Sequence, residues 1–133
     1  MPKLEYGKIL NSENESSDTL IVLFIPGKDK NDKELKDQEQ WAIAAGNLLG
    51  QLFGGSTTMP VARGTWFNPE TKKLIAEPVI LIHCYVRAGE IASREKIEEV
   101  GRFLHRMGKE TKQGEVAILI GDTFHRIRKY SLA

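Results

Sequence analysis

The chain has 133 residues, of which 41% are hydrophobic and 28% are charged, values close to those of ordinary soluble globular domains. This composition excludes a disordered, collagenous or disulfide-rich chain. Nineteen Lys and Arg residues nearly balance eighteen Asp and Glu residues, and a formal charge of +1 argues against nucleic acid or an anionic membrane as the main partner.

The sequence also indicates a cytoplasmic protein without a membrane segment. The start, MPKLEYGKIL, lacks the apolar stretch of a signal peptide, and no apolar run approaches the roughly 20 residues that span a bilayer. A single cysteine, Cys84, cannot form an intramolecular disulfide, and it lies in an apolar run, so a reducing compartment is the simplest expectation.

Residues 1–18 are predicted to form a short strand, Leu4 to Leu10, and a polar loop, and residues 19–133 to form a single α+β domain. Thr19 to Ile25 is a continuous apolar run rich in β-branched residues, which is typical of a central strand buried on both faces. The charged stretch 28–36 has no apolar spacing and predicts a solvated loop.

A helix and a β-hairpin are predicted next. Asp37 and Gln40 have the spacing of a capping box, and the apolar residues that follow recur at helical spacing as far as Gly54. Thr57 to Phe67 alternates in polarity, and a turn-forming Asn-Pro then separates it from a return strand that begins with Lys72 to Ile75.

The longest strand candidate is VILIHCYVR, which follows Glu77-Pro78. Its period of two predicts a core face and an outer face. The predicted core face carries Ile80, Ile82, Cys84 and Val86. The outer face carries Val79, Leu81, His83, Tyr85 and Arg87.

Ser93 is predicted to cap a second helix that ends at Gly114. Gly101 and Gly108 lie beside the apolar stripe of this helix, so we expect it to approach the sheet closely. Gly121-Asp122 separates two strand-like runs, EVAILI and TFHRIRK, and predicts a tight C-terminal hairpin.

The element order β-α-β-β-α-β predicts a ferredoxin-like α+β fold: an antiparallel sheet with two helices on one face and an extra C-terminal hairpin strand. The outer face of the sheet is mostly apolar, which argues against plain solvation. We therefore expect a homodimer or another partner on this face.

Three segments, FGGSTTMPVARGTWFN, LIAEPVILIHCYV and FLHRMGKETKQGEVAI, resemble a family of small bacterial proteins of unassigned activity with a ferredoxin-like pattern. The resemblance covers residues 20–128 and implies a bacterial accessory protein, without a mechanism to transfer. The polar, aromatic and turn-forming residues within these segments are Arg63, Gly64, Trp66, Glu77, Pro78, His105, Arg106, Glu110, Gln113 and Glu115.

Several side chains are candidates for binding or proton transfer. His83, Tyr85 and Arg87 point the same way from one strand, with Glu77 near its start, and are a candidate site for an anionic small molecule on the outer face. An alternative, which we favour, makes His83 and Tyr85 residues of a dimer interface, because aromatic side chains are enriched there.

His105 lies at the flank of the apolar stripe of the second helix, and Arg106 follows it. The favoured interpretation is structural, with His105 as a boundary residue and Arg106 in an (i, i+4) ion pair with Glu110. The alternative makes His105 a general base and Arg106 a ligand-binding residue.

Arg63 and Trp66 fall on opposite faces of a hairpin strand. A bulge at Gly64 would bring both near Glu77 and form a polar and aromatic pocket. Without that bulge, Trp66 is expected to be a core or interface anchor.

The sequence predicts no metal site and no cofactor. His83 and Cys84 face opposite sides of one strand, Cys84 falls on the core face, and no nucleotide-binding fingerprint is present. The basic C-terminal segment HRIRKY is interpreted as a charged edge strand, and RNA binding through this segment is the weaker hypothesis.

These observations favour a small cytoplasmic binding or accessory protein that acts as a homodimer. Its ligand is expected to be a protein partner or a small anionic molecule, held on the sheet face or in the hairpin pocket. The alternative is an enzyme without a cofactor that uses His105 or His83 as general base, with support from Arg63 and Glu77.

Overall fold

The structure, a computed structural model, describes residues 3–12, 17–91 and 93–133. It is an α+β architecture with one open antiparallel sheet of five strands in the order β2-β3-β1-β4-β5. Among the described residues, none of the helices combines the length and the apolar character that a membrane crossing requires. The elements are α1 (Tyr6–Leu10), β1 (Thr19–Ile25), α2 (Gln38–Phe53), β2 (Thr57–Asn68), β3 (Lys73–Val86), α3 (Ala88–Ile91), α4 (Arg94–Glu110), β4 (Val116–Ile120) and β5 (Thr123–Ile127).

Strand β1 lies at the centre of the sheet, as its apolar run predicts. It pairs along its whole length with β3 and, from Ile21 to Leu23, with β4. Its two faces differ, however, because Ile21, Leu23 and Ile25 are fully buried, whereas the other face has one buried residue, Val22, between the half-buried Leu20 and Phe24. The expectation that both faces are buried is therefore confirmed for the first face and only in part for the second, which none of the described helices covers.

Helices α2 and α4 pack on the first face and form the core with it. The predicted core face of β3, with Ile82 and Val86 fully buried, is confirmed. Each helix contributes one apolar stripe, and burial of such side chains is the main stabilising term of the fold. The stripes consist of Ala42, Ala45, Leu49 and Phe53 from α2, and Val100, Phe103, Leu104 and Met107 from α4.

The return strand of the hairpin and the VILIHCYV run form one continuous strand, β3, that passes through Pro78. Proline lacks a backbone N–H and is normally excluded from central strands. Here Pro78 pairs with Arg63 on β2, but β1 already ends at Ile25, opposite Ile80. Pro78 therefore lies beyond the end of the neighbouring strand β1, so the missing N–H donor removes no hydrogen bond between strands on that side.

The predicted N-terminal strand, Leu4 to Leu10, was wrong, because this segment contains the short helix α1. Its hydrogen bonds are local, from Ile9 N to Glu5 O at 3.1 Å and from Ser12 N to Gly7 O at 3.0 Å. Asn11 ends the helix in the left-handed conformation, with φ of 51°. Residues 13–16 of the predicted polar loop lie outside the described residues.

The two long helices begin differently. At α2 the predicted capping box was wrong, because the Asp37 carboxylate accepts a hydrogen bond from Trp41 Nε1 at 3.1 Å and caps no backbone N–H. At α4, the Ser93 hydroxyl accepts from Lys96 N, so that prediction is confirmed. Helix α4 ends at Glu110, a turn earlier than the predicted end at Gly114.

The close approach predicted at the glycines of α4 involves the C-terminal segment and not the sheet. The ring of Tyr130 lies directly on Gly108, where a Cβ would overlap it, and the Tyr130 hydroxyl donates to Gln113 O at 2.9 Å. Gly101 meets only Leu132, at ordinary contact distance. The C-terminal segment thus folds back along α4.

We expect Gly108→Ala to destabilise the protein by about 1–3 kcal/mol, because the new methyl group displaces Tyr130. The matched control Gly101→Ala has room for a methyl group and gains helix propensity, so it stabilises by up to about 1 kcal/mol. Urea unfolding measures both values. In a Tyr130→Ala background the cost of Gly108→Ala disappears, and a cost that persists there would contradict this assignment.

Candidate functional site

The sheet face opposite the helices carries a cleft of about 400 Å³, here called the open-face cleft. It lies near the end of β1 and is lined by residues of β2, β3 and β4, with β5 at one side. Its lining consists of Phe24, Pro26, Lys28, Lys30, Ala62, Arg63, Gly64, Thr65, Trp66, Glu77, Val79, Leu81, Gln113, Gly114, Glu115, Val116, Ala117 and Phe124.

Aromatic side chains line two sides of this cleft. Phe24 and Phe124 meet edge to face on one side, with ring centroids 5.7 Å apart. Trp66 lies on β2 at the other side and is 37% exposed. Aromatic rings left partly exposed beside a cavity offer large apolar surfaces on which a planar ligand stacks.

Small residues keep the floor of the cleft open between these rings. Ala62 pairs with Val79, and Gly64 pairs with Glu77, so both face the cleft side of the sheet. A Cβ on Gly64 would come within 2.7 Å of Val79 Cγ2. Any larger residue at this position would force the Val79 side chain or its own strand to shift.

Glu77 is the acidic side chain at the end of the cleft where β1 stops. Its Oε2 accepts hydrogen bonds from the backbone N–H of Gly27 at 3.2 Å and of Lys28 at 2.9 Å. Its Oε1 makes no hydrogen bond within the described ranges. Burial raises the pKa of Glu77 above its usual value, although the two backbone hydrogen bonds and the charge of Lys28 oppose that rise.

The predicted solvated loop 28–36 is tied to this end of the cleft. Gln113 Nε2 donates to Lys28 O at 2.8 Å, and Lys30 N donates to Lys112 O at 3.0 Å. The Asp29 carboxylate also accepts backbone hydrogen bonds from within the loop. Together with Glu77, these bonds hold Lys28 and Lys30 beside the cleft.

The remaining charges at the cleft differ in whether they are paired. Glu115 contacts Arg128 at 3.0 Å and Arg126 at 3.8 Å, and Lys28 contacts Asp32 at 3.0 Å. Lys30 and Arg63, in contrast, have no carboxylate within 4.0 Å in the described part of the chain. The cleft therefore has an apolar interior and two unpaired cations among its lining residues.

The structure brings together three of the predicted site residues, since Arg63, Trp66 and Glu77 all line the cleft. The alternative with a bulge at Gly64 is excluded, because Gly64 pairs regularly with Glu77 and the register shift lies between Met59 and Ala62. Arg63 and Trp66 thus remain on opposite sides of β2, as strand alternation requires.

The other predicted residues of β3 lie outside the cleft. His83 is six positions from Glu77, a distance of about 20 Å along a strand, and it pairs with Thr57 and Val22. Tyr85 is 58% exposed farther along the same face. Arg87 lies beyond the strand and contacts Glu90 at 3.2 Å. Glu77 and these three residues do not form one site.

His105 and Arg106 belong to α4, on the opposite side of the sheet from the cleft. His105 is 8% exposed, and its Nδ1 accepts a hydrogen bond from Leu132 N at 3.1 Å. The Arg106 guanidinium lies over the rings of Trp41 and Phe103, at 5.7 and 5.6 Å, and contacts Glu110 at 3.7 Å. Both residues have structural partners.

Sequence reasoning missed the aromatic side formed by Phe24 and Phe124, and it missed the loop cations Lys28 and Lys30. Phe24 has the same parity in β1 as the outward residues Leu20 and Val22, which is a usable signal. Phe124 lies next to Phe24 only because β4 pairs with β1 and β5 pairs with β4. Within the described ranges, no three His, Cys, Asp or Glu side chains are grouped as metal ligands.

Comparisons with known proteins identify a fold. No protein-family model matches the chain, and no curated protein matches it. Among solved structures, a phage SAM lyase in complex with S-methyl-5′-thioadenosine is 15% identical with a TM-score of 0.63, over 90% of this chain and 96% of that one. A phage SAM lyase in the apo state is 13% identical with a TM-score of 0.57, over 83% and 88%. At this identity the likeness shows a shared fold.

Glu77→Gln tests the effect of burying a carboxylate at the cleft. Because the folded state raises the pKa of Glu77 above its unfolded value, the group favours folding at low pH and loses that contribution as pH rises through the folded pKa. We expect the free energy of unfolding of the wild type, relative to Glu77→Gln, to fall between pH 4 and pH 7. Glu70→Gln, in an exposed turn, provides the background. A relative gain for the wild type over this range would contradict the assignment.

Cys84 provides a second test, which concerns the burial of a thiol on the core face of β3. Burial, with a smaller effect of the Glu90 charge, raises the pKa of this thiol to about 11. Because the thiolate is the reactive form, the rise lowers its population near pH 8 by about 100-fold. We expect iodoacetamide to label Cys84 slowly in the native protein and rapidly in urea. Equal labelling rates in both conditions would contradict this expectation.

Proposed function

We propose that this protein binds an adenosine-based thioether or sulfonium compound, of the class of S-methyl-5′-thioadenosine, in the open-face cleft. The observation that carries the proposal is the cleft itself, with Phe24 and Phe124 on one side, Trp66 on the other and Glu77 at its end. Planar bases stack on such rings with a gain of about 1–3 kcal/mol per base. A volume of about 400 Å³ lies within the range of small-molecule sites.

The choice of ligand class rests on the solved structures of similar fold. S-methyl-5′-thioadenosine combines a purine, which suits the aromatic sides, with a sugar and a thioether that need little charge compensation. The strand order β2-β3-β1-β4-β5, all antiparallel, supports a ferredoxin-like assignment of that shared fold. A ligand of this class is an intracellular metabolite, which agrees with the cytoplasmic location expected from the sequence.

The second candidate function is a SAM lyase activity, favoured by the same likeness of fold. In such a step the bond between sulfur and the amino-acid side chain breaks, and sulfur keeps the electron pair and leaves as the neutral thioether. The carbon fragment then either loses a proton or closes onto its own carboxylate, so no water is consumed. Glu77 is the cleft carboxylate without an ion-paired arginine, and a negative charge there suits a sulfonium ligand.

We also propose that the chain self-associates through the open sheet face, the homodimer being the smallest such assembly. Large apolar side chains remain exposed beyond the cleft on this face, including Met59 at 49% and Tyr85 at 58%. Side chains of this kind are enriched in interfaces between subunits. Native mass spectra of the purified protein report the subunit number, and a monomer at micromolar concentration would contradict this part of the proposal.

The two tryptophans allow a direct binding test. Trp66 lines the cleft, whereas Trp41 packs on Phe103 on the helical side of the molecule. S-methyl-5′-thioadenosine is titrated into Trp41→Phe, which keeps only Trp66, and into Trp66→Phe, which keeps only Trp41. We expect a saturable change of emission in the first variant and none in the second. We also expect Trp66→Ala to weaken binding measured by calorimetry about tenfold or more.

Absence of binding to wild-type protein, or an equal emission change in both variants, would overturn the cleft proposal. Incubation with SAM, followed by chromatography for S-methyl-5′-thioadenosine, tests the lyase activity. Heat-denatured protein controls for spontaneous decay of SAM. Product formation above that control supports the enzyme, and its absence in a protein that binds the thioether rules this activity out.

A further inference from the structure

We propose that Arg63, together with Lys30, binds a carboxylate of the ligand in the open-face cleft. The inference rests on the proposed function and deepens it, because it selects ligands that carry an amino-acid group in addition to the adenosyl thioether. Its basis is the distribution of paired and unpaired charges around the cleft.

Arg63 differs from the other arginines of the chain in its surroundings. No carboxylate lies within 4.0 Å of its guanidinium in the described part of the chain. Every other arginine lies within that distance of a carboxylate, and these residues are Arg87, Arg94, Arg102, Arg106, Arg126 and Arg128. The arginine without a carboxylate partner is the one that lines the cleft on β2.

The acidic residues of the cleft do not neutralise Arg63. Glu115 is held by Arg126 and Arg128 at the β5 side, and Glu77 uses Oε2 to bind the backbone of Gly27 and Lys28. Lys30, on the loop next to the cleft, likewise has no carboxylate partner among the described residues. Two cations beside an apolar cleft are thus left for an anion that the chain does not supply.

The position of Arg63 also suits this role. β2 is an edge strand of the sheet, so no further strand encloses the side chain. Strand alternation directs Arg63 away from the Trp66 side of β2, so the proposal requires the guanidinium to reach around this edge to the cleft that Arg63 lines. A guanidinium presents two parallel N–H donors that match the two oxygens of a carboxylate. The aromatic sides hold the base, and the cations then fix the opposite end of an elongated ligand.

Two ligands that differ only in the carboxylate test this inference. S-adenosylhomocysteine carries the amino-acid group on a thioether, and 5′-deoxy-5′-(3-aminopropylthio)adenosine is its decarboxylated form. Neither contains a sulfonium, so binding is measured without turnover. We expect the wild type to bind the first about ten- to a hundredfold more tightly by calorimetry, which is the usual contribution of a hydrogen-bonded ion pair.

Arg63→Met removes the charge and keeps much of the apolar stem, so we expect the preference to fall to about a tenth of the wild-type ratio or less. Binding of S-methyl-5′-thioadenosine, which has no carboxylate, is measured in the same variant as a reference, so that a general loss of cleft binding is separated from a loss of the preference. Arg63→Lys keeps the charge and is expected to retain part of the preference. Arg102→Met, on α4 and away from the cleft, is the matched control and is expected to keep the full ratio.

The outcomes separate the inference from the proposed function. If the thioether binds but wild-type protein does not distinguish the two amino-acid analogues, the carboxylate inference is wrong and the cleft remains a binding site. A preference that survives unchanged in Arg63→Met also overturns the inference. If none of the three compounds binds, the proposed function fails and the inference falls with it.

Discussion

The structure depends on one constraint: the five-stranded sheet has helices on a single face. Helices α2 and α4 bury one set of alternating side chains on β1 and β3, and this burial stabilises the fold. The same alternation must place a second, largely apolar set on the other face, where none of the helices in the described ranges covers it. Phe24, Val79 and Leu81 are therefore available to line a cleft because their neighbours along each strand are required in the core.

The cleft exists where this exposed face is interrupted. β1 ends at Ile25 and the chain turns away, so β3 continues through Pro78 without a partner on that side. Glu77 fills the gap by binding the backbone of the turn, and thereby connects the position of the loop 28–36 to the end of the cleft. Gly64 leaves the floor of the cleft free of a side chain, since a larger residue would collide with Val79. A turn, a proline and a glycine together produce a concave site on an otherwise flat sheet.

Local patterns predicted the parts of the chain where one interaction dominates. Period-two alternation identified the core face of β3, and Ser93 and Gly121-Asp122 marked a helix start and a hairpin correctly. Failures occurred where distant residues decide the local structure. Gly108 faces Tyr130 and not the sheet, and the register shift of β2 lies at Met59–Ala62, which no local pattern marks. For the cleft, Arg63, Trp66 and Glu77 are neighbours through hairpin pairing, which the sequence suggests. Phe124 and Lys30 reach it only through the order of strands, which spacing along the chain does not encode.

The placement of β1 between β3 and β4 has a consequence for how the protein is made. Ile21 pairs with Cys84 and with Ile120, so the partners of β1 are synthesised roughly 60 and 100 residues after it, and such non-local pairing slows folding. Until β4 has left the ribosome, the run TLIVLFI is an apolar, β-prone segment without its second neighbour, the kind of segment that aggregates when exposed. A chain that stops short of residue 120 thus leaves one edge of β1 without the strand that pairs with it in the folded protein.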